Sequence, residues 1–564
     1  MDYKKKQKLR VKIMGIVLFV AVAAVAAGVI IVKTFMPTKE WMSGYEYFDL
    51  NENTDKTMVM IDGVQYNDIG VKVNDRVYLP QEFVASKINI RFYYDKETGG
   101  VLYTDDCKTC TFLADSTSYS DDAGNTYNSE YPIVTKREGI VYIDWEFVSS
   151  RTNCTYAIGE SPSRISINFI DGERDYVTAE KDLYVRYRGG IKSKILEKID
   201  KGTKLYYRES YDDWIEVTTP SGIIGYVQAS KISEQFSKTP EDTYTENYAK
   251  KTKTGKVNLG WFQVEGEAGN STIGSTLSGN SNINVISPTW YKISDSSGSV
   301  ISYASSSFVS SMHSKGIEVW PLISDFQKDV DYKELYSSKA NRTKLINRLM
   351  SDTSLYGYDG LNIDFENVKS EYAMDFLQFI RELSVECQKK DIYLSTDNYK
   401  PETYNQCYNL HEQSYYVDYI IIMAYDEHYA GSDAGSVSSL GFVKEAVNDT
   451  LALVNKEQVI VGIPFYTRVW TISGGKTTSK AVGMQAAIDE MTKDGQAALW
   501  NDEVGQYVCS YEKSGTTKKI WIEEDKSIEE KMKVIQESGV AGVAEWKLGL
   551  ERDSVWSVIN KYIN

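Results

Sequence analysis

The residues best suited to chemistry form one short run, DGLNIDFE, from Asp359 to Glu366. Side chains on a β-strand alternate between faces, so Asn362, Asp364 and Glu366 point the same way. Two carboxyl groups and an amide on one face are costly in an ordinary core, because buried charge needs partners. A terminal Glu beside an Asp suits a proton donor whose pKa its neighbour controls. The pattern therefore predicts acid–base chemistry where this strand ends.

The wider run YDGLNIDFENV, residues 358–368, resembles the DxxDxDxE signature of glycoside hydrolase family 18. Asn362 occupies the second acidic position. This stretch of sequence is most similar to the branch that contains bacterial spore-cortex N-acetylglucosaminidases. Three further segments resemble family motifs in the expected order, and they are MAYD at 423–426, GIPFYTRVW at 462–470 and WKLG at 546–549.

The resemblance implies a substrate-assisted mechanism with retention, in which the substrate's own 2-acetamido oxygen attacks C1. It implies that Glu366 protonates the leaving oxygen and then activates water. Asp364 would bind the acetamido N–H and offset the developing positive charge, and Tyr425 would hydrogen-bond the acetamido oxygen. The resemblance implies no metal and no organic cofactor.

Four further residues receive binding roles from the same resemblance. Asp426 would help to hold the −1 sugar, and Trp546 would form an apolar floor beneath it. Asn362 and Asp359 would support Asp364 from beneath. An Asp at position 362 could share a proton with Asp364, whereas Asn cannot, so we expect a shifted acid limb in the pH–rate profile.

The C-terminal half, residues 256–564, predicts an α/β fold of the (β/α)8 TIM-barrel type. Short buried apolar runs alternate with amphipathic helical stretches, which indicates a parallel sheet, and catalytic residues of such barrels lie at the C-terminal ends of the strands. Between the last two runs, residues 507–511 and 519–522 predict a small α+β insertion. The eight runs are 257–264, 283–288, 318–323, 360–365, 392–396, 419–424, 459–464 and 542–546.

The N-terminus predicts a membrane anchor. Residues 13–32 are uncharged and apolar over a length that spans a bilayer. Residues 1–12 carry six basic side chains and one acid, which places this end in the cytoplasm and the remainder of the chain outside the cell. The alternative is a signal peptide cleaved after Ala24-Val25-Ala26; the length of the apolar run favours an uncleaved anchor. Residues 33–57 are polar and predict a tether.

Two kinds of small module are predicted between tether and barrel. Residues 58–175 contain two related α+β repeats, since 77–86 matches 141–150, each read as a strand entering a short helix. The first copy resembles the N-terminal domain of copper amine oxidases, without implying copper. Residues 178–235 resemble a bacterial SH3 domain, which either binds wall peptide or acts as a spacer. Residues 236–255 read as a linker.

The net charge limits the classes of binding partner, and the cysteine spacing suggests a local covalent link. The net charge is −16, which argues against nucleic acid as the main partner. Cys107 and Cys110 could form a local disulfide outside the cell or stay as free thiols.

The leading functional hypothesis is a membrane-anchored extracellular glycosidase that hydrolyses β-1,4 linkages of N-acetylglucosamine in peptidoglycan. One alternative is a chitinase or an endo-β-N-acetylglucosaminidase acting on other glycans. The other is a non-catalytic glycan-binding surface protein, a role in which the terminal Glu is usually lost. The sequence leaves open endo or exo cleavage, the peptide stem, oligomeric state and a sporulation or vegetative role.

Overall fold

The structure is a computed structural model that describes residues 2–51, 56–245, 248–277, 281–493 and 495–563. The chain divides into two compact units. The first comprises residues 1–92, 114–117 and 129–245. The second comprises residues 93–113, 118–128 and 246–564. The predicted tether and linker each extend into residues outside the described ranges, at 52–55 and 246–247.

The first unit begins with the helix Asp2–Phe35, which is longer than the predicted apolar segment because the basic residues before it are helical too. Its length and composition would allow it to cross a membrane, and a signal sequence has the same properties. The next described residues are ordered, which differs from the expectation of a tether. The short helix Gly44–Phe48 buries Phe48 in the core of the unit.

Two seven-stranded sheets build the rest of this unit and share that core, in which Met58 and Met60 of one sheet pack with Val185 and Val217 of the other. The first sheet contains Lys56–Ile61, Val64–Val73, Arg76–Pro80, Val134–Arg137, Ile140–Asp144, Cys154–Glu160 and Ser163–Phe169. The second contains Arg174–Thr178, Leu183–Arg186, Ile195–Ile199, Lys204–Tyr211, Trp214–Thr218, Ile224–Gln228 and Phe236–Lys238.

The predicted repeat corresponds to two similar strand–helix pairs. Arg76–Pro80 leads into the helix Gln81–Lys87, and Ile140–Asp144 leads into the helix Trp145–Ser149. The two strands are antiparallel neighbours, with Tyr142 opposite Pro80. The strand-to-helix reading of each copy is confirmed.

The second unit is built on a closed barrel of eight parallel strands, numbered here from the start of the barrel. They are β1 Val257–Phe262, β2 Val285–Pro288, β3 Glu318–Val319 with Leu322–Ser324, β4 Gly360–Asp364, β5 Tyr393–Tyr399, β6 Tyr419–Met423, β7 Val459–Pro464 and β8 Gly542–Trp546. Strand β8 pairs with both β7 and β1, which closes the barrel. All eight predicted strands are confirmed. The break in β3 falls at Trp320-Pro321, where proline has no N–H for the ladder.

Helices surround the barrel, and their bounds are Ile273–Thr276, Ser306–His313, Tyr332–Ser337, Lys339–Tyr356, Ala373–Lys389, Leu410–Ser414, Leu440–Leu451, Asp525–Ser538 and Val555–Ile563. The predicted α+β insertion is present between β7 and β8. It has one helix, Met484–Lys493, and antiparallel strands Tyr466–Ser473, Lys476–Gly483, Leu499–Asn501, Gln506–Lys513 and Thr516–Ile522.

A small antiparallel sheet from the N-terminal half belongs to the barrel unit, which corrects the expectation that residues 58–175 form one stalk domain. Its contacts with a barrel helix include a hydrogen bond from Tyr93 Oη to Asp375 Oδ1 at 2.5 Å. Gln378 Nε2 also donates to Thr104 Oγ1 at 3.3 Å. Within this sheet Cys107 is exposed and Cys110 is buried. Its strands are Tyr93–Asp95, Gly100–Thr104, Thr109–Phe112, Ser118–Asp121 and Thr126–Asn128.

Candidate active site

Glu366 lies just beyond the C-terminal end of β4, and a carboxylate from the neighbouring strand holds the turn that carries it. Asp325, which follows β3, is fully buried. Its Oδ1 accepts a hydrogen bond from Glu366 N at 2.9 Å, and its Oδ2 accepts one from Asn367 N at 2.9 Å. The backbone of the acid is therefore fixed by two charge-assisted hydrogen bonds, the stronger kind in proteins.

The Glu366 side chain accepts a hydrogen bond from the hydroxyl of Tyr399, the last residue of β5. Burial raises the pKa of the Glu366 carboxyl above its ordinary value, and the Tyr399 hydrogen bond opposes that rise. The pKa of Tyr399 is itself raised, chiefly by burial. Tyr399 therefore stays a hydrogen-bond donor throughout the neutral range, and Glu366 has the properties of a general acid.

Asp364, the last residue of β4, is buried beside Glu366. Its Oδ1 has no hydrogen-bond partner among the described residues. Burial raises its pKa well above the ordinary value, and the nearby charges of Glu366 and Asp397 add to that rise. Like charges in one site cannot all ionise together. The clustered carboxyl groups therefore resist ionising together, and the Asp364 oxygen offers an acceptor to an incoming N–H group.

Asn362 lies deeper in the barrel, and its side chain bonds to residues of three other strands. Its Oδ1 accepts hydrogen bonds from Trp261 Nε1 and Ser287 Oγ, both at 3.0 Å. Its Nδ2 donates to Ser395 Oγ at 3.0 Å and to Asp397 Oδ1 at 2.7 Å. The expected proton-sharing neighbour was Asp364; the structure places Asp397 in that position instead.

Asp359 lies at the opposite end of β4 from the acids, which corrects its expected role beneath Asp364. Its Oδ2 accepts from Val319 N at 2.8 Å and lies 2.8 Å from His313 Nε2. It lies five positions before Asp364, roughly 16 Å away along an extended strand. Asp359 therefore stabilises the N-terminal end of the barrel, away from the end at which the acids would meet a substrate.

Aromatic rings from three strands meet at the mouth of the barrel. The ring of Trp261 is nearly perpendicular to that of Tyr425, at 6.4 Å between centroids, and packs edge-on with Trp546 at 5.9 Å. Tyr466 Oη donates to Asp426 Oδ1 at 2.5 Å. Burial raises the pKa of Tyr425 well above its ordinary value, and the charges of the acid cluster raise it further. Tyr425, Asp426 and Trp546 are therefore brought to the same mouth as the acids.

The sequence interpretation missed several residues of this site, and they are Asp325, Asp397, Tyr399, Trp261 and Tyr466. Each lies on, or follows, a barrel strand other than β4. For Asp325, Asp397, Tyr399 and Tyr466 a signal was present, because they follow predicted strands within three residues, the positions where barrels carry their chemistry. Their pairing with Asp364 and Glu366 depends on the register between strands.

Comparisons with known proteins agree with this geometry. The profile of Glycosyl hydrolases family 18 matches residues 223–551, more than half of the chain. The uncharacterized glycosylase YvbX of Bacillus subtilis is 26% identical over 283 residues, which cover 47% of this chain and 81% of that protein. The cortical fragment-lytic enzyme of the same species is 24% identical over 241 residues, covering 41% of this chain and 56% of the enzyme.

Among solved structures, the spore cortex-lytic enzyme SleL of Bacillus cereus superposes with a TM-score of 0.50 at 18% identity, covering 58% of this chain and 78% of that one. This likeness concerns the fold. The profile match covers the barrel, including the acids at the end of β4. The chain therefore belongs to glycosyl hydrolases family 18 and is a glycosidase.

Proposed function

We propose that this protein is a membrane-anchored extracellular glycosidase that hydrolyses β-1,4 linkages of N-acetylglucosamine in peptidoglycan, with retention and substrate assistance. The observation that carries the proposal is the buried pair Asp364 and Glu366. Burial raises both pKa values, and one Asp364 oxygen has no partner among the described residues. A neutral carboxylic acid beside an available acceptor suits protonation of a leaving group and capture of an acetamido N–H.

The chemical steps follow from these two side chains. Glu366 donates its proton to the glycosidic oxygen while the acetamido oxygen of the −1 sugar attacks C1, and the C1–O bond breaks. Asp364 accepts a hydrogen bond from the acetamido N–H and offsets the positive charge of the oxazolinium ion. The Glu366 carboxylate then removes a proton from water, whose oxygen attacks C1 and reopens the ring. Two displacements at C1 retain its configuration.

The remaining mouth residues bind the sugar. Tyr425 donates its hydroxyl proton to the acetamido oxygen, since its raised pKa keeps it protonated. Trp546 presents an aromatic face of the kind on which a sugar ring packs. Asp426, oriented by Tyr466, accepts from a sugar hydroxyl.

Support for a location at the cell wall comes from the N-terminal unit and from one relative. The helix Asp2–Phe35 would act as the anchor, with the N-terminus in the cytoplasm and the barrel outside. Thr38 N donates to Ile191 O at 2.8 Å, so the module that resembles an SH3 domain contacts the chain three residues after the end of that helix. The neighbouring module resembles the N-terminal domain of copper amine oxidases. The relative named a cortical fragment-lytic enzyme supports wall glycan as the proposed substrate.

The test is mass spectrometry of the products released from purified peptidoglycan by the detergent-solubilised chain. We expect new reducing ends at N-acetylglucosamine, absent with Glu366→Gln although glycan binding persists. Glu445→Gln is the matched control, because this glutamate is exposed on an outer helix. Cleavage of chitin oligomers alone would favour a chitinase, and binding without cleavage of either glycan would favour a glycan-binding protein.

A further inference from the structure

A cavity of about 470 Å³ opens beside the catalytic acid, between the segments that follow β3 and β4. This volume lies within the range of small-ligand pockets, about 300–1,000 Å³. Asp325 and Asn367 form its inner end. Because Asp325 also binds the backbone N–H of Glu366, the cavity begins one residue from the acid.

The cavity wall is rich in lysine, although the whole chain has a net charge of −16. Lys328, Lys333 and Lys369 all line it. Lys333 Nζ lies 3.2 Å from a carboxylate oxygen of Glu371 and is therefore paired. Lys328 and Lys369 are exposed and form no ion pair among the described residues. Two cations are thus available to a ligand in the cavity.

The other groups of the wall add apolar and anionic contacts. Phe326, which lines the cavity, is 51% exposed. The Asp331 carboxylate accepts from Glu334 N at 3.2 Å at the start of the helix Tyr332–Ser337. Glu371 keeps its contact with Lys333. The cavity thus combines two lysines that form no ion pair among the described residues, an exposed aromatic ring and three carboxylates that already have partners.

We propose that this cavity binds the peptide substituent of the wall glycan and selects peptide-bearing strands over uncharged ones. The inference rests on the proposed function. A stem peptide carries carboxylates, alanine methyl groups and the amine of a diamino acid. Lys328 and Lys369 bind the carboxylates, and Phe326 covers a methyl group. Chitin has none of these groups and gains nothing from the cavity.

The experiment compares three substrates: glycan strands with stem peptides, the same strands after amidase removal of the peptides, and chitin oligomers. The variant is Lys328→Ala with Lys369→Ala in the full chain. Its matched control is Lys315→Ala with Lys390→Ala, two exposed lysines that precede β3 and β5 at the far end of the barrel. Thermal unfolding of each variant checks that the fold is intact.

We expect the double variant to raise KM for peptide-bearing strands about three- to tenfold with kcat unchanged, as suits the loss of two exposed charge contacts. KM for stripped strands and for chitin should not change, and the control pair should behave as wild type. Added salt should reproduce the loss for peptide-bearing strands alone, because exposed charges are screened. Equal effects on all three substrates, or no effect on any, would overturn the proposal.

Binding to the Glu366→Gln form separates this inference from the proposed function. Tighter binding of peptide-bearing strands than of stripped ones, lost in the lysine double variant, supports the cavity even where the wild type cleaves only chitin. Equal affinity for stripped and peptide-bearing strands would refute the cavity even where the wild type cleaves peptidoglycan.

Discussion

The hydroxyl of Tyr399 lowers the pKa of Glu366 against the larger effect of burial, and Tyr399→Phe tests this contribution directly. Tyr399 donates to one oxygen of Glu366, a contact that favours the ionised carboxylate and so lowers its pKa against the effect of burial. Phe keeps the ring and removes only the donor. The pKa of Glu366 should therefore rise further above its ordinary value.

The size of the shift follows from the strength of this contact. A hydrogen bond to a charged group contributes about 1.5–3 kcal/mol, and one pKa unit corresponds to about 1.4 kcal/mol. We expect a rise of about one to two pKa units. Because the general acid must be protonated, the alkaline limb of kcat/KM, which reports the free enzyme, moves to higher pH by the same amount. The measured value belongs to the coupled acid cluster as a whole.

The assay is the pH dependence of kcat/KM on a soluble glycan, and Tyr336→Phe provides the control. The Tyr336 hydroxyl is buried without a hydrogen-bond partner among the described residues, and its ring lies 5.8 Å from that of Phe365. The control also replaces Tyr with Phe, and it lies next to β4, the strand that carries the acids. It removes no hydrogen bond among the described residues. An alkaline limb that stays in place or moves to lower pH in Tyr399→Phe would refute the reasoning, as would an equal shift in the control.

Three further predictions concern buried polar groups. Asn362→Asp puts an acid where an amide now donates to Asp397 at 2.7 Å, so we expect the acid limb of the pH–rate profile to move to higher pH; an unchanged limb would contradict this. Lys531→Met leaves Glu523 buried without the cation that lies 2.9 Å from it, and urea unfolding should show a loss of about 3–5 kcal/mol; a loss below about 1 kcal/mol would show that the pair is not needed. Glu545 is fully buried with neither carboxylate oxygen partnered among the described residues, and burial raises its pKa well above the ordinary value. A raised carboxyl pKa destabilises the fold increasingly as pH rises above the unfolded value of about 4.3, so Glu545→Gln should unfold at a higher temperature than wild type at pH 7 and lose that advantage near pH 4. An equal advantage at both pH values would exclude ionisation as the cause.

Strand periodicity was sufficient to predict the barrel and its central acids. Each of the eight strands is a short apolar run, and these runs alternate with helical stretches. The alternation can be recognised along the sequence without knowing which strands pair. The common face of Asp364 and Glu366 follows from the two-residue period alone. Their position at a strand end then predicts the side of the barrel on which chemistry occurs.

Tertiary structure decided which groups surround those acids. Asp397 contacts Asn362 because the parallel register places Ser395 of β5 beside Asn362 of β4. Asp325 reaches Glu366 because Ser324 lies beside Asp364. These registers are set by closure of the barrel, and no local pattern encodes them.

Two differences from the sequence interpretation have the same origin. Asp359 belongs to the acidic motif in sequence, yet β4 is long enough to carry it to the far end of the barrel. Residues 93–128 read as part of a stalk, yet most of them form a sheet in the barrel unit because Tyr93 and Thr104 find partners on the helix Ala373–Lys389. Sequence periodicity is a local property, whereas these contacts join residues between 40 and 282 positions apart, so only the folded chain determines them.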